Sequence, residues 1–184
     1  MSDRVRKRFP RGRDIHPDAR LVVIGLGSNT DGPAKINDAI EEISYRYDLL
    51  ARSTRYVSPA VGGGEEEGPR AGDGSTPAPP DQEATYSNAA VLVRTSESHD
   101  TIKAALGEIE EALGRDRSTP DAVAIDLDIL LIQGQVIREG TRIVVPHPDL
   151  ETQRYAAIPS AEVAPFLRHS VTEARLSELA AALA

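Results

Sequence analysis

"AVAIDLDILLIQG", residues 122–134, is an apolar run that contains two acids. Side chains on a β-strand alternate between faces, so residues two apart point the same way. Read as a strand, the segment sets Asp126 and Asp128 side by side on one face. Ile125, Leu127 and Ile129 then turn to the other. Carboxylates that close raise each other's pKa unless a cation lies between them. Either this strand has one solvated face or a cation belongs there. A half-solvated strand is the more common cause of an Asp-x-Asp spacing. The apolar context and the neighbouring motifs raise the case for Mg²⁺, which takes one or two carboxylates plus substrate phosphates and keeps several waters.

Upstream, "RLVVIGLGSN" (20–29) reads as a short apolar strand followed by a turn rich in Gly and Ser. "GPAKINDAIEEISYRY" (32–47) has Pro33 at a helix start and Ile36, Ala39, Ile40 and Ile43 at helical spacing. "LLARSTRYVS" (49–58) and "YSNAAVLVRT" (86–95) are predicted strands. "SHDTIKAALGEIEEALGR" (98–115) carries an amphipathic stripe of Ile102, Ala105, Leu106, Ile109 and Leu113. Downstream, "QGQVIREGTRIVVPHPDL" suggests a small hairpin turning near Gly134 and Gly140, and 170–184 a terminal helix. The order strand, helix, strand, strand, helix, strand predicts an α+β fold, a ferredoxin-like βαββαβ plait. Its antiparallel sheet carries both helices on one face, leaving the bare face as the platform for a site.

At 184 residues the chain suits one domain. The net charge of −8 is uneven: residues 1–20 hold seven of the 21 Lys and Arg but three of the 29 acids, leaving 14 basic against 26 acidic side chains elsewhere, a net of −12. An acidic body argues against a nucleic-acid partner. Residues 1–19 read as a basic, disordered tail, 20–184 as a single domain, and the Gly- and Pro-rich stretch at about 62–84 as a flexible insertion. No apolar run is long enough to span a bilayer, which argues against a membrane partner. Cysteine is absent, which excludes thiolate chemistry and leaves the cytoplasm as the expected compartment.

Single motifs are weak here. "GLGSN" (25–29) could bring backbone amides close to a phosphate, but alone it reads as a tight turn. Arg115 and Arg117 in "GRDR" either complement a helix dipole or clamp a polyphosphate. Arg142 and His147 in "RIVVPHPD" need not share a face, and the four histidines form no metal or triad pattern.

In order, however, "GLGSN", "SPAVG", "YSNAAV", "IEEALGR", "DLDILL" and "VPHP" resemble the 6-hydroxymethyl-7,8-dihydropterin pyrophosphokinases of folate biosynthesis, from about Arg20 to Pro165. The resemblance implies transfer of pyrophosphate from ATP, as co-substrate, to the hydroxymethyl group of a reduced pterin, giving AMP. It implies two Mg²⁺ ions on Asp126 and Asp128, with Arg115 and Arg117 as further catalytic groups, and a monomeric protein. Asn29, Glu110, Arg115, Arg117, Ile129, Arg142, His147 and Arg154 match positions near ATP or ordering its site. Ser58, Pro59, Val61, Tyr86 and Asn88 match the pterin pocket, with Tyr155 in place of a stacking Phe.

The departures are specific. The family's loop before the aspartates carries a Trp and ends "GPRTLDLD"; here it is "STPDAVAIDLD", with no Trp in the chain and Val123 at the Arg position. Gln153 holds a second Arg position, with Arg154 one place late. Within the insertion, Arg70 could substitute as a phosphate contact, although the composition favours a passive linker. These changes keep two alternatives open: a catalytically impaired nucleotide- or pterin-binding paralogue, and a pyrophosphokinase for another alcohol.

Overall fold

The central strand β1 (Arg20–Ser28) carries Val22, Ile24 and Leu26 toward one face of the sheet and Val23, Gly25 and Gly27 toward the other. It is paired on both sides, antiparallel to β4 (Thr85–Thr95) and to β5 (Asp126–Ile132). β4 pairs in turn with β2 (Asp48–Arg52) and, further along, with β3 (Tyr56–Pro59), giving a five-stranded antiparallel sheet of order β2-β4-β1-β5. This computed structural model describes residues 16–59, 85–116, 118 and 122–184. Most of the basic tail, the 62–84 insertion, Val61, Arg117 and much of the loop before the aspartates lie outside the described residues.

Helices α1 (Gly32–Arg46) and α2 (His99–Ala112) cover one face, as the plait requires. Their apolar stripes meet the sheet at Ile36, Ile43, Ile102, Leu106 and Ile125, all buried. Truncating any one of the large ones to Ala costs about 2–5 kcal/mol through lost contacts and the cavity left behind. Ser98 caps α2, its side chain accepting from Thr101 N. At the other end, Lys35 Nζ on α1 donates to Leu113 O at 2.6 Å, satisfying a terminal carbonyl of α2.

The second face is not bare. After the hairpin of β6 (Ile137–Glu139) and β7 (Arg142–Val145) come α3 (Asp149–Thr152), α4 (Arg154–Val163) and α5 (Leu176–Ala182). Ala156, Val163, Ala164, Leu150 and Leu176 pack there against Val23, Ala90, Leu130 and Leu131 in a second core. α4 was invisible to periodicity because Pro159 lies inside it. A proline removes one helical hydrogen bond, and here the burial of Ala156, Ala157, Pro159 and Val163 against the sheet outweighs that loss. The site must therefore use the part of this face that α4 leaves uncovered.

Two further boundaries differ from expectation. The predicted strand 49–58 is two strands, because Ser53 interrupts the ladder: its Oγ accepts from Ala90 N at 2.9 Å in place of a backbone carbonyl. The terminal helix begins only at Leu176, since Glu173 adopts φ 61°, a left-handed conformation that no helix continues.

The segment before α5 encloses His169, which is 2 % exposed. Its Nδ1 accepts from Thr172 N at 3.2 Å, so the neutral ring carries its proton on Nε2. Burial pushes the imidazole below its ordinary pKa, with Glu151, 3.5 Å from Nε2, opposing the shift. A base depressed in the folded state binds fewer protons there than in the unfolded chain. Its contribution is complete above the unfolded value of about 6.5 and is lost as pH falls below it. Denaturant midpoints at pH 7.5 and 5.5 should fall on acidification, and His169→Asn, which keeps an acceptor near Nδ1, should flatten that fall. An equal fall in both proteins would exclude His169 as its source.

Candidate active site

Asp126 and Asp128 do share a face of β5, and Ile125, Leu127 and Ile129 enter the core behind them. β5 is the last strand of the sheet, and a cleft opens on each side of the acidic pair. The first, about 270 Å³, lies over the sheet face between β1, β3, β4 and α4. Gly25 and Gly27 form its floor, walled by Ser58, Tyr86, Asn88, Leu130, Asp149 and Tyr155. The second, about 310 Å³, lies beyond the free edge of β5, between α2 and the β6–β7 hairpin. Lys103, Glu110, Ile129, Arg142 and His147 border it. Both clefts reach Asp126 and Asp128.

The "GLGS" segment is strand, not turn: Gly25 pairs with Ala90 and Asp128, and Gly27 with Asn88 and Asp126. A Cβ at Gly25 would stand 3.0 Å from Leu130 Cδ1, so a side chain there would strike the β5 residue closing the floor. The glycines hold space open rather than bend the chain.

Several groups brace the acidic strand. At its outer edge Leu127 N, which has no further strand to pair with, donates to Glu110 Oε1 at 2.7 Å. His147 N donates to Leu130 O at 2.7 Å. At the entry to the strand Asn29 clasps Val123: its Oδ1 accepts from Val123 N at 2.7 Å and its N–H donates to Val123 O at 3.0 Å. Ser28 Oγ donates to Ala124 O at 2.7 Å. Asn29 is therefore a brace for the aspartate strand and lines neither cleft.

One of the two aspartates has a cation beside it, in a long ion pair. Arg115 Nη2 lies 3.6 Å from Asp126 Oδ1, beyond hydrogen-bond reach, and the Asp126 side chain is 47 % exposed. Asp128 is open to solvent at the meeting of the clefts, yet its pKa is raised. Desolvation by the surrounding protein is the largest cause, then repulsion from Asp126; Asp149 adds to the shift, while His147 and Arg115 oppose it.

A family model for 7,8-dihydro-6-hydroxymethylpterin-pyrophosphokinase (HPPK) matches residues 23–165. The chain belongs to the HPPK family. A 2-amino-4-hydroxy-6-hydroxymethyldihydropteridine pyrophosphokinase of Methylorubrum extorquens is 30% identical over 149 residues, 78% of this chain and 82% of the relative. One from Haemophilus influenzae is 28% identical over 145 residues, 77% of this chain and 79% of the relative. In fold the chain is similar to Plasmodium falciparum HPPK-DHPS, wild type, at TM-score 0.62 and 13% identity. The match covers 90% of this chain and 45% of that one, so the chain spans under half of that protein.

Among the HPPK positions carried over by resemblance, Ser58, Tyr86, Asn88 and Tyr155 meet in the first cleft. Glu110, Ile129, Arg142 and His147 meet in the second. Pro59 ends β3, next in sequence to Ser58 and paired with Thr85. Arg154 stands exposed at the first turn of α4 and lines neither cleft. At the position where HPPK sequences usually have Arg, Val123 is 6% exposed, buried against the strand entry. Asp149 was missed altogether, although its place two residues after His147 in "HPD" was the available signal.

Proposed function

We propose that this chain transfers the pyrophosphoryl group of ATP to the hydroxyl of 6-hydroxymethyl-7,8-dihydropterin. The observation that carries the reading is the meeting of two clefts on one acidic strand, which lets an acceptor and a nucleotide reach the same carboxylates from opposite sides. The acceptor's hydroxyl oxygen attacks the β-phosphorus. The bond from that phosphorus to the α,β-bridging oxygen breaks, AMP leaves, and the hydroxyl proton passes to solvent. The reaction needs two substrates held in line more than it needs a strong base.

The first cleft suits the pterin. Asn88 is 6 % exposed and its Nδ2 donates to Ser58 Oγ at 2.9 Å, which fixes the amide plane. Its Oδ1 then faces the Gly27 side of the cleft, 3.6 Å from where a Cβ on Gly27 would be. A held acceptor of this kind can read a ring N–H, and Tyr155 offers an aromatic wall. The second cleft suits ATP: it runs along the outer edge of β5 at Ile129, where a purine could lie, and Arg142 offers a cation to phosphates, while Lys103 is held by Glu139 at 2.9 Å.

The donor set at the junction fits Mg²⁺. Two carboxylates share a face with Arg115 in a long ion pair to Asp126 alone, and after desolvation their mutual repulsion contributes to the raised pKa of Asp128. Mg²⁺ completes its shell with substrate phosphates and water, so two protein carboxylates suffice. When bound it would neutralise charge on the transferring phosphates. Asp126 and Asp128 would hold it, with Arg115 beside Asp126 limiting how negative the pair becomes.

Purified chain with Mg·ATP and the pterin should form AMP in proportion to the pterin. No AMP above that of an Asp126→Ala control would overturn the reading. Asn88→Ala should raise KM for the pterin about tenfold to a hundredfold, the scale of a lost buried hydrogen bond, with KM for ATP unchanged. Equal changes in both constants would mean that Asn88 supports the fold and not the acceptor.

A further inference from the structure

Asp149, the first residue of α3, lines the first cleft beside Tyr155. Tyr155 Oη donates to Asp149 Oδ2 at 2.5 Å, the length of a charge-assisted bond. The Asp149 side chain is 29 % exposed, half-buried in the wall of the cleft. On its other side, Asp149 N donates to His147 Nδ1 at 3.3 Å, and the carboxylate lies 3.7 Å from the same nitrogen. One residue thus holds the tyrosine of the first cleft by its side chain and a histidine of the second by its backbone.

A tyrosine ring on the first turns of a helix can swing about two side-chain bonds. Anchored at its hydroxyl as well as at its Cα, it becomes a fixed plate. We propose that Asp149 is a positioning residue for the acceptor, holding Tyr155 as a rigid wall against which a flat heterocycle is stacked. This rests on the reading of the first cleft as the pterin site. The role belongs to the hydrogen bond and not to the negative charge, although Asp149 also stands near Asp126 and Asp128. A charge role would act through those aspartates and so on Mg·ATP.

Steady-state kinetics of AMP formation on the full chain separates the two. Asp149→Ala and Tyr155→Phe should each raise KM for the pterin about tenfold, the scale of losing one charge-assisted hydrogen bond. KM for Mg·ATP should stay within about twofold, because the backbone contact to His147 survives both changes. The double variant should be no worse than either single, since the two remove one contact. Asp149→Asn keeps an acceptor for the tyrosine hydroxyl and should restore KM to within about threefold of wild type. Additive effects, or an Asp149→Asn variant as impaired as Asp149→Ala, would overturn the proposal. So would an Asp149→Ala defect confined to Mg·ATP. A wild-type chain that forms no pterin-dependent AMP would instead overturn the functional reading, and this inference with it.

Discussion

Asp128→Asn is expected to reduce AMP formation at least about a thousandfold while leaving the metal-free protein as stable as wild type or more stable. The two halves of this result have one cause. Asp128, although its side chain reaches solvent, is held with a raised pKa because the protein around it desolvates it in part and sets Asp126 on the same strand face. A carboxyl whose pKa is raised by folding carries a penalty in the folded state. That penalty is fully present above the folded value and is relieved as pH falls through it toward the unfolded value near 3.9. Asparagine keeps the shape, removes the charge and removes the penalty at every pH. The same charge is what the proposed Mg²⁺ needs, so stability and activity move in opposite directions. Thermal melts in chelator, beside melts with Mg·ATP, test both halves. Wild type should gain stability from Mg·ATP, and the variant should lose most of that gain. A variant that melts well below wild type in chelator would show instead that Asp128 supports the strand. One that keeps its turnover would remove the aspartates from the mechanism.

What could be read before the structure was what alternation and helical spacing carry. β1, α1, α2 and the split of β5 into a core face and an acidic face all follow from side-chain periodicity. The hairpin was legible because Gly134 and Gly140 sit at φ 69° and 62°, where other residues are strained. α4 was not legible, because Pro159 and a run of small residues hide a helix that exists through packing on the sheet. The break between β2 and β3 rests on one serine hydroxyl replacing a ladder bond, which no local pattern announces.

The site divides in the same way. The acidic pair was readable as a pair, since two residues apart on a strand fixes a common face. Its setting was not. Each cleft is assembled from segments far apart in sequence, Ser58, Asn88 and Tyr155 in one and Glu110, Arg142 and His147 in the other. Only the resemblance to known pyrophosphokinases could collect those positions in advance. It could not supply Asp149. Nor could it show that Val123, at the family's arginine position, is buried at the entry to the acidic strand.

Glu110→Ala is expected to cost about 2 kcal/mol of stability, equivalent to about 4–8 °C in Tm for a chain of this size, and to lower kcat/KM with it. Glu110 is 5 % exposed, on the last turn of α2. Its Oε1 accepts from Leu127 N, the amide between the two aspartates, at 2.7 Å. Edge strands leave such N–H groups open to water or to another strand. Here a helix reaches across to satisfy one and so fixes how the acidic residues on either side present themselves. Truncation leaves that amide buried without its partner, and a buried orphan donor costs more than an ordinary hydrogen bond yields. Glu110→Gln keeps an amide oxygen in reach of Leu127 N and should retain most of the stability and activity. If Gln proves as damaging as Ala, the carboxylate charge matters in its own right, and Glu110 acts on the nucleotide cleft it borders instead of through the strand.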